Sequence, residues 1–330
     1  MVTPDRRMTQ PANRQETILM TIKTLELLEL AHRLTGSQNI DDLLQTSQRI
    51  LDWDAARLPQ SIEINDKGVI TGINPGRILI NGKTVCKDIR DFAACAKISH
   101  PINGPVALVL HPYQEDYLRS VGEGSKRVIA IHSRQMGMTT LLALQALWLA
   151  VSQPDQTILL AGHRYAAALE IMERVKFIIE NTDALLPGIK DYSKGTVGFD
   201  NGSRIISRTI NGDAARGLSL SWILIDDAAY VSYKKLQEFW DSVSFQLDNG
   251  TGMIIQSVPG RSEGLFYRLW NKAQNMGFSA HKITWDLHPQ RDEAWAQSTK
   301  EMVGERAWRA EYECEFVDPE NAQVSNLSQV

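Results

Sequence analysis

Four short segments in the second part of the chain are apolar almost throughout: Val128-Ile129-Ala130-Ile131, Thr157-Ile158-Leu159-Leu160, Trp222-Ile223-Leu224-Ile225 and Met253-Ile254-Ile255. A strand with one face in water alternates apolar and polar residues, whereas one covered on both faces does not. Longer stretches with helical character, residues 140–151 and 166–179, separate the first of these segments. Such strand–helix repetition predicts an α/β chain with a mostly parallel sheet flanked by helices. Thr196-Val197-Gly198-Phe199 and Arg204-Ile205-Ile206-Ser207, joined across Asp200-Asn201-Gly202, predict an antiparallel hairpin added to that sheet.

The rest of the chain divides around this core. Residues 1–60 read as a polar leader followed by amphipathic stretches at 15–34 and 41–53. Residues 61–105 form a lead-in with two turn sequences, Asp66-Lys67-Gly68 and Asn81-Gly82, and then a helix expected over 88–98. The core is assigned to 106–317, and 318–330 is a polar tail. Across all 330 residues, 43% are hydrophobic and the formal net charge is −4, which excludes a disordered chain and a polycationic nucleic-acid coat. Cys86, Cys95 and Cys314 match neither a disulfide framework nor a zinc pattern, so a reducing compartment is expected. The longest apolar run, residues 141–151, falls short of the roughly 20 needed to cross a bilayer, and no membrane association is expected.

Ligands of an open parallel sheet sit at the carboxyl ends of its strands, so the residues after each apolar run carry the chemistry. After Ile131 come His132-Ser133-Arg134-Gln135-Met136-Gly137-Met138-Thr139-Thr140 and then a helix. A glycine turn entering a helix whose first residues carry hydroxyls has the layout of a phosphate loop. Its backbone N–H groups wrap phosphates and Thr139 offers a hydroxyl to Mg²⁺. The match is incomplete, since His132 stands at the first glycine and Met138 at the lysine. After Ile225 come Asp226 and Asp227, an apolar strand ending in acids, as in the Walker B pattern, with Asp226 the metal anchor. Either element alone is ordinary loop chemistry. Both in this order within one α/β unit favour a P-loop NTPase that uses ATP and Mg²⁺.

These residues resemble the large subunit of tailed-bacteriophage terminases, whose adapted phosphate loop S-R-Q-x-G-K-T stands here as Ser133-Arg134-Gln135-Met136-Gly137-Met138-Thr139. Upstream, Leu110-His111-Pro112-Tyr113-Gln114 resembles the family's adenine-binding motif. Downstream, Leu185-Leu186-Pro187-Gly188-Ile189, Arg216-Gly217, Pro259-Gly260, residues 264–270 and residues 308–316 match family segments in order. The resemblance implies the ATPase half of a motor that couples Mg²⁺-ATP hydrolysis to movement of double-stranded DNA into a procapsid. It implies an additional-strand, RecA/helicase-like fold. Its implied partners are the portal protein, the small terminase subunit and further copies of the chain in a ring, in the host cytoplasm. A nuclease domain follows in the family. No acidic cluster with nuclease spacing follows Phe316 here, so no DNA cleavage is expected of this chain.

On that resemblance, Tyr113 and Gln114 are the expected adenine readers, Ser133 to Thr140 the phosphate cradle, and Ser257 the coupling residue. Arg134 is expected to take the charge role that Met138 leaves open, because a guanidinium stays ionised and forks onto two oxygens. Arg216 is expected to act as an arginine finger for a neighbouring subunit, with an ion pair inside its own subunit as the alternative. Asp227 stands where the family has glutamate. Its carboxylate is one methylene shorter, and a misplacement of about 1 Å costs on the order of 100-fold in rate, so slow hydrolysis is expected. Arg261, Lys234, Lys235 and Lys272 are candidates for a DNA-facing surface. Two rival readings share these residues: a helicase-like ATPase, and a nucleotide-binding module without turnover.

Overall fold

The computed structural model describes residues 88–318 except 101 and 123, together with residue 86 and four short strands between residues 62 and 84. The expected amphipathic stretches at 15–34 and 41–53, the leader and residues 319–330 lie outside the described residues. The four short strands, β1 (Ile62–Ile64), β2 (Ile70–Ile73), β3 (Leu79–Ile80) and β4 (Lys83–Thr84), form one small sheet in the order β2-β1-β3-β4. β1 pairs antiparallel with β2, and β3 with β4, each pair flanking one of the two turn sequences.

Helix α1 (Ile89–Cys95) starts where the Asp88 carboxylate accepts the N–H groups of Arg90 and Asp91 at 2.8 and 3.0 Å. It is shorter than the helix expected over 88–98, because Lys97–His100 leave it as strand β5 and pair antiparallel with β6 (Gly104–Ala107). The cross-strand pairing of Ile98 with Val106 draws this segment out of the helix. The expected domain boundary at 105/106 falls inside β6. Ile89, Phe92 and Cys95 of α1 share one apolar cluster with Tyr117, Leu142 and Met172 of later helices.

The main sheet follows in chain order. Helix α2 (Pro112–Gly122) leads to β7 (Arg127–His132), α3 (Met138–Ser152), β8 (Thr157–Gly162), α4 (Tyr165–Asn181), β9 (Ile189–Ser193), β10 (Thr196–Phe199) and β11 (Arg204–Thr209). After these come β12 (Trp222–Ile225), α5 (Tyr233–Asp248), β13 (Gly252–Ser257), α6 (Gly264–Asn271), β14 (Ser279–Ile283), α7 (Glu293–Val303) and α8 (Glu305–Glu311). The eight strands lie in the order β14-β7-β13-β12-β8-β11-β10-β9. Every pair from β14 to β11 is parallel, and β10 and β9 add antiparallel at one edge. The expected hairpin is β10–β11, and β13 is inserted between β7 and β12.

Burial on both faces explains the unbroken apolar runs. Val128 and Ala130 of β7 pack with α2, α3 and α4 on one face, while Ile129 and Ile131 join α5 and α6 on the other. Helix α3 is itself apolar nearly all round, with Leu141, Leu142, Leu144, Ala146 and Leu147 fully buried. Each buried leucine of α3 contributes about 1.5–3 kcal/mol, so the strand ends are fixed on a stiff scaffold. Among the described residues no helix is long and apolar enough to cross a membrane.

Candidate active site

The carboxyl end of β7 continues into the loop 133–137, which enters α3. Gln135 and Gly137 both take left-handed backbone angles, φ 59° and 75°. Alternating right- and left-handed residues turn successive N–H groups toward one hollow, an anion-binding nest. The positive φ at Gly137 favours glycine, and a Cβ there would also crowd the Gln114 amide nitrogen at 2.8 Å. Among the described residues no side chain caps the first turn of α3. Its leading amides and the positive end of its dipole therefore face the same hollow.

Across from this loop stands the tip of β12. Thr139 Oγ1 donates to Asp226 Oδ2 at 2.8 Å, so the loop and the acidic strand end meet at one end of the sheet. Asp226 is buried, and its other oxygen accepts from Gln256 Nε2 at 2.9 Å and from the Asp227 N–H at 3.2 Å. Gln256 is itself fully buried on β13, and its carbonyl oxygen accepts from Tyr117 Oη at 3.1 Å. Tyr117, Gln256, Asp226 and Thr139 thus form one continuous polar chain that fixes the carboxylate.

Asp227 follows with φ 53°, a left-handed angle that costs a non-glycine residue about 1 kcal/mol or more. Burial, and then the neighbouring Asp226 charge, push its carboxyl pKa upward, while His132, His163 and Arg134 pull the other way. His132 is kept toward its neutral form chiefly by burial. Its Nδ1 lies 3.0 Å from the Ser133 carbonyl, and its buried Nε2 has no hydrogen-bond partner among the described residues. Ser257, fully buried, accepts the Ala229 N–H at 3.1 Å and so ties the end of β13 to the turn after the two acids.

Several expected site residues are placed differently from their expected tasks. Tyr113 and Gln114 are buried, and both donate to the Met136 carbonyl at 3.0 Å. The Gln114 oxygen accepts its own turn's His111 N–H at 3.0 Å. They hold the loop 133–137 in place, and burial pushes the Tyr113 hydroxyl up to about 12. The Met138 and Met136 side chains are packed in the core, so these positions offer the hollow only their backbone. Arg134 is in an ion pair with Glu311, 3.0 Å from Nε to Oε2, and its N–H donates to the Glu311 carbonyl at 2.9 Å. Arg216 is highly exposed and pairs with Asp213 at 2.8 Å, the alternative that its sequence context left open. Lys234 and Arg261 lie near Glu238 and Glu263, at 3.9 and 3.4 Å. Cys86 Sγ lies 3.7 Å from Cys95 Sγ, and Cys314 is buried well away from both in sequence.

Sequence reasoning did not single out Gln256, Tyr117, Glu311 or Arg291 for the site. A glutamine at the end of an all-apolar strand was a usable signal for Gln256. The other three reach the site from distant elements. A cleft of about 960 Å3 lined by Tyr230, Tyr233, Pro259, Tyr267 and Glu311 opens beside the turn after Asp227, but no residue of the loop lines it.

A parallel sheet in which one strand separates a phosphate loop from an acidic strand tip defines a P-loop NTPase. The family described as terminase large subunit, T4likevirus-type, N-terminal, matches residues 129–328, and the chain belongs to it: it is an ATPase motor domain of viral DNA packaging. In fold it is similar to the large terminase ATPase domain of Thermus phage P74-26, at 20% identity over 63% of this chain and 94% of that one, with a TM-score of 0.51. It is similar also to a large terminase from a thermophilic bacteriophage, at 14% identity over 63% and 54% of the two chains, with a TM-score of 0.52. The HK97 bacteriophage large terminase gives 17% identity over 71% and 49%, again with a TM-score of 0.52. The chain thus spans nearly all of an isolated terminase ATPase domain and about half of each longer terminase.

Proposed function

We propose that this chain hydrolyses Mg²⁺-ATP at the hollow between Gly137 and Asp226 and couples that reaction to movement of double-stranded DNA into a procapsid. The Thr139–Asp226 hydrogen bond carries the reading, because it joins a hydroxyl and a carboxylate where a phosphate-bound metal needs oxygen ligands. Mg²⁺ bound to a nucleotide takes one or two protein oxygens and completes its shell with phosphate and water, and these two residues fit that demand. When bound, the ion neutralises charge on the phosphates. The thermophilic-phage terminase of the same fold has been crystallised with ADP and with ATP-gamma-S, in agreement with nucleotide binding here.

The amides of residues 135–139 bind the phosphates. Asp227 orients the attacking water and accepts its proton as the bond from the γ-phosphorus to the bridging oxygen breaks and ADP departs. Arg134 reaches the γ-phosphate on leaving Glu311, and Arg216 serves the site of the next subunit in a ring. The short Asp227 carboxylate and the uncharged Met138 make this hydrolysis slow. The portal protein and the small terminase subunit are the partners that the family membership suggests. The test is phosphate release from ATP with Mg²⁺ beside a nucleotide-binding titration. Saturable binding with release supports the motor reading. Binding without release, with or without double-stranded DNA, makes the chain a silent nucleotide module. Strand separation without a portal makes it a helicase.

A further inference from the structure

Arg291 stands in the turn before α7, and its guanidinium reaches the outer side of the phosphate loop. Nη2 donates to the carbonyls of Arg134 and Gln135 at 2.9 and 3.4 Å. Nη1 donates to Ser133 Oγ and Met136 Sδ at 3.3 and 3.4 Å. The guanidinium lies 4.5 Å over the ring of Trp295. Among the described residues Arg291 forms no ion pair. A half-buried cation held by carbonyls and an aromatic ring, with no carboxylate beside it, leaves a net positive charge against the loop.

The peptide geometry gives that charge a task. In a trans peptide the C=O of one residue and the N–H of the next point in opposite directions. Drawing the carbonyls of Arg134 and Gln135 outward to Arg291 therefore turns the amides of Gln135 and Met136 to the opposite side. It also stabilises the left-handed Gln135, which is costly without such support. No charge comes from position 138, because the Met138 side chain is in the core.

We propose that Arg291 is a positioning residue of the nucleotide site, holding the loop peptides with their amides toward the phosphates and supplying the positive charge that Met138 does not. The inference rests on the reading of the loop as the nucleotide cradle. Its test compares wild type with Arg291→Ala, Arg291→Lys, Arg291→Gln and Trp295→Leu in binding of a fluorescent ADP analogue, in KM and kcat for phosphate release, and in thermal denaturation. Loss of charge-assisted hydrogen bonds predicts about tenfold weaker binding and a matching rise in KM for Arg291→Ala, with kcat changed far less. Arg291→Lys keeps the charge and recovers part of the affinity, whereas Arg291→Gln keeps donors without charge and stays weak. Trp295→Leu leaves the charge in place and binding within about threefold.

Unchanged affinity in Arg291→Ala overturns the inference, as does a fall in kcat and melting temperature with KM unmoved. Should Arg291→Ala fail to fold, equal affinities in the lysine and glutamine variants overturn it, and a lysine advantage supports it. A wild-type chain that binds no nucleotide overturns the cradle reading itself. Nucleotide binding that ignores every Arg291 change removes this inference alone.

Discussion

Thr139 and Asp226, 87 residues apart in the chain, are joined by a hydrogen bond of 2.8 Å from Oγ1 to Oδ2. The bond closes one end of the sheet around a pair of oxygens fit for a metal. Thr139→Val keeps the side-chain shape and removes the oxygen. Phosphate release is expected to fall by about 100-fold or more, the usual cost of removing one transition-state contact. Mg²⁺ is expected to activate the residual reaction only at higher concentration. An unaltered Mg²⁺ titration would place the metal elsewhere.

Gln256 is the only described side chain other than Thr139 that donates to the Asp226 carboxylate, and Tyr117 in turn donates to Gln256. Gln256→Leu fits the volume but leaves a buried carboxylate oxygen and a buried hydroxyl short of partners. A lost hydrogen bond to a charged group costs about 1.5–3 kcal/mol. In a chain of 330 residues that lowers the melting temperature by about 2–4 °C. Circular dichroism on heating checks this, and a melting temperature equal to wild type would show that the polar chain does not hold Asp226.

The pKa of Asp227 lies above the ordinary carboxylate range, mainly through burial and the Asp226 charge. Its ionisation therefore opposes folding. The stability that goes with the protonated form is complete below the unfolded pKa, about 3.9, and is lost as pH rises through the raised folded value. Asp227→Asn is then expected to melt higher than wild type at neutral pH, with the difference vanishing in acid. Hydrolysis runs opposite to stability, because the water needs the ionised form. Activity is lost on acidification at a higher pH than an unperturbed aspartate would give. Asp227→Glu is expected to raise turnover, by up to about 100-fold if carboxylate reach is the limit. A glutamate variant no faster than wild type would remove Asp227 from the water-orienting role.

Arg216 and Asp213 form a fully solvated ion pair, with side chains 77% and 76% exposed, which leaves the arginine free to serve another subunit. Such pairs contribute about 0–1 kcal/mol, so Arg216→Ala is expected to leave the melting temperature nearly unchanged. If Arg216 completes a neighbour's site, wild-type activity per chain rises with protein concentration, and the variant loses about 1,000-fold together with that dependence. A concentration-independent rate in the wild type would confine Arg216 to its own subunit.

Much of the fold was legible because the core strands are buried on both faces and carry little but apolar residues. β7, β8, β12 and β13 announce themselves in this way. β14 does not, since Ser279-Ala280-His281-Lys282-Ile283 has the composition of a loop and is a strand only because β7 offers an open edge. The same competition shortened α1, where pairing of Ile98 with Val106 outweighed the helical pattern. In the site, Thr139, Asp226 and Gly137 were readable from local order along the chain. Arg291 and Glu311 were not, because both reach the loop over more than 150 residues of intervening chain and carry no spacing signal. Tyr113 and Gln114, expected to read an adenine, lie against the loop, where both donate to the Met136 carbonyl.

The loop 133–137 is also tied to the edge strand β14 and to helix α8 beyond it, and the segment after α8 to the turn after β13. The Ser133 N–H donates to the Ile283 carbonyl at 2.8 Å, the Arg134 N–H to that of Glu311 at 2.9 Å, and the Val317 N–H to that of Gly260 at 3.0 Å. Traction on residues 305–317 would therefore reach the loop through Glu311, whose carbonyl and carboxylate both hold Arg134. By reciprocity, under the nucleotide reading proposed above, a change at the loop would tighten or slacken that same seam, giving chemistry at Gly137 a direct line along which to haul on a load.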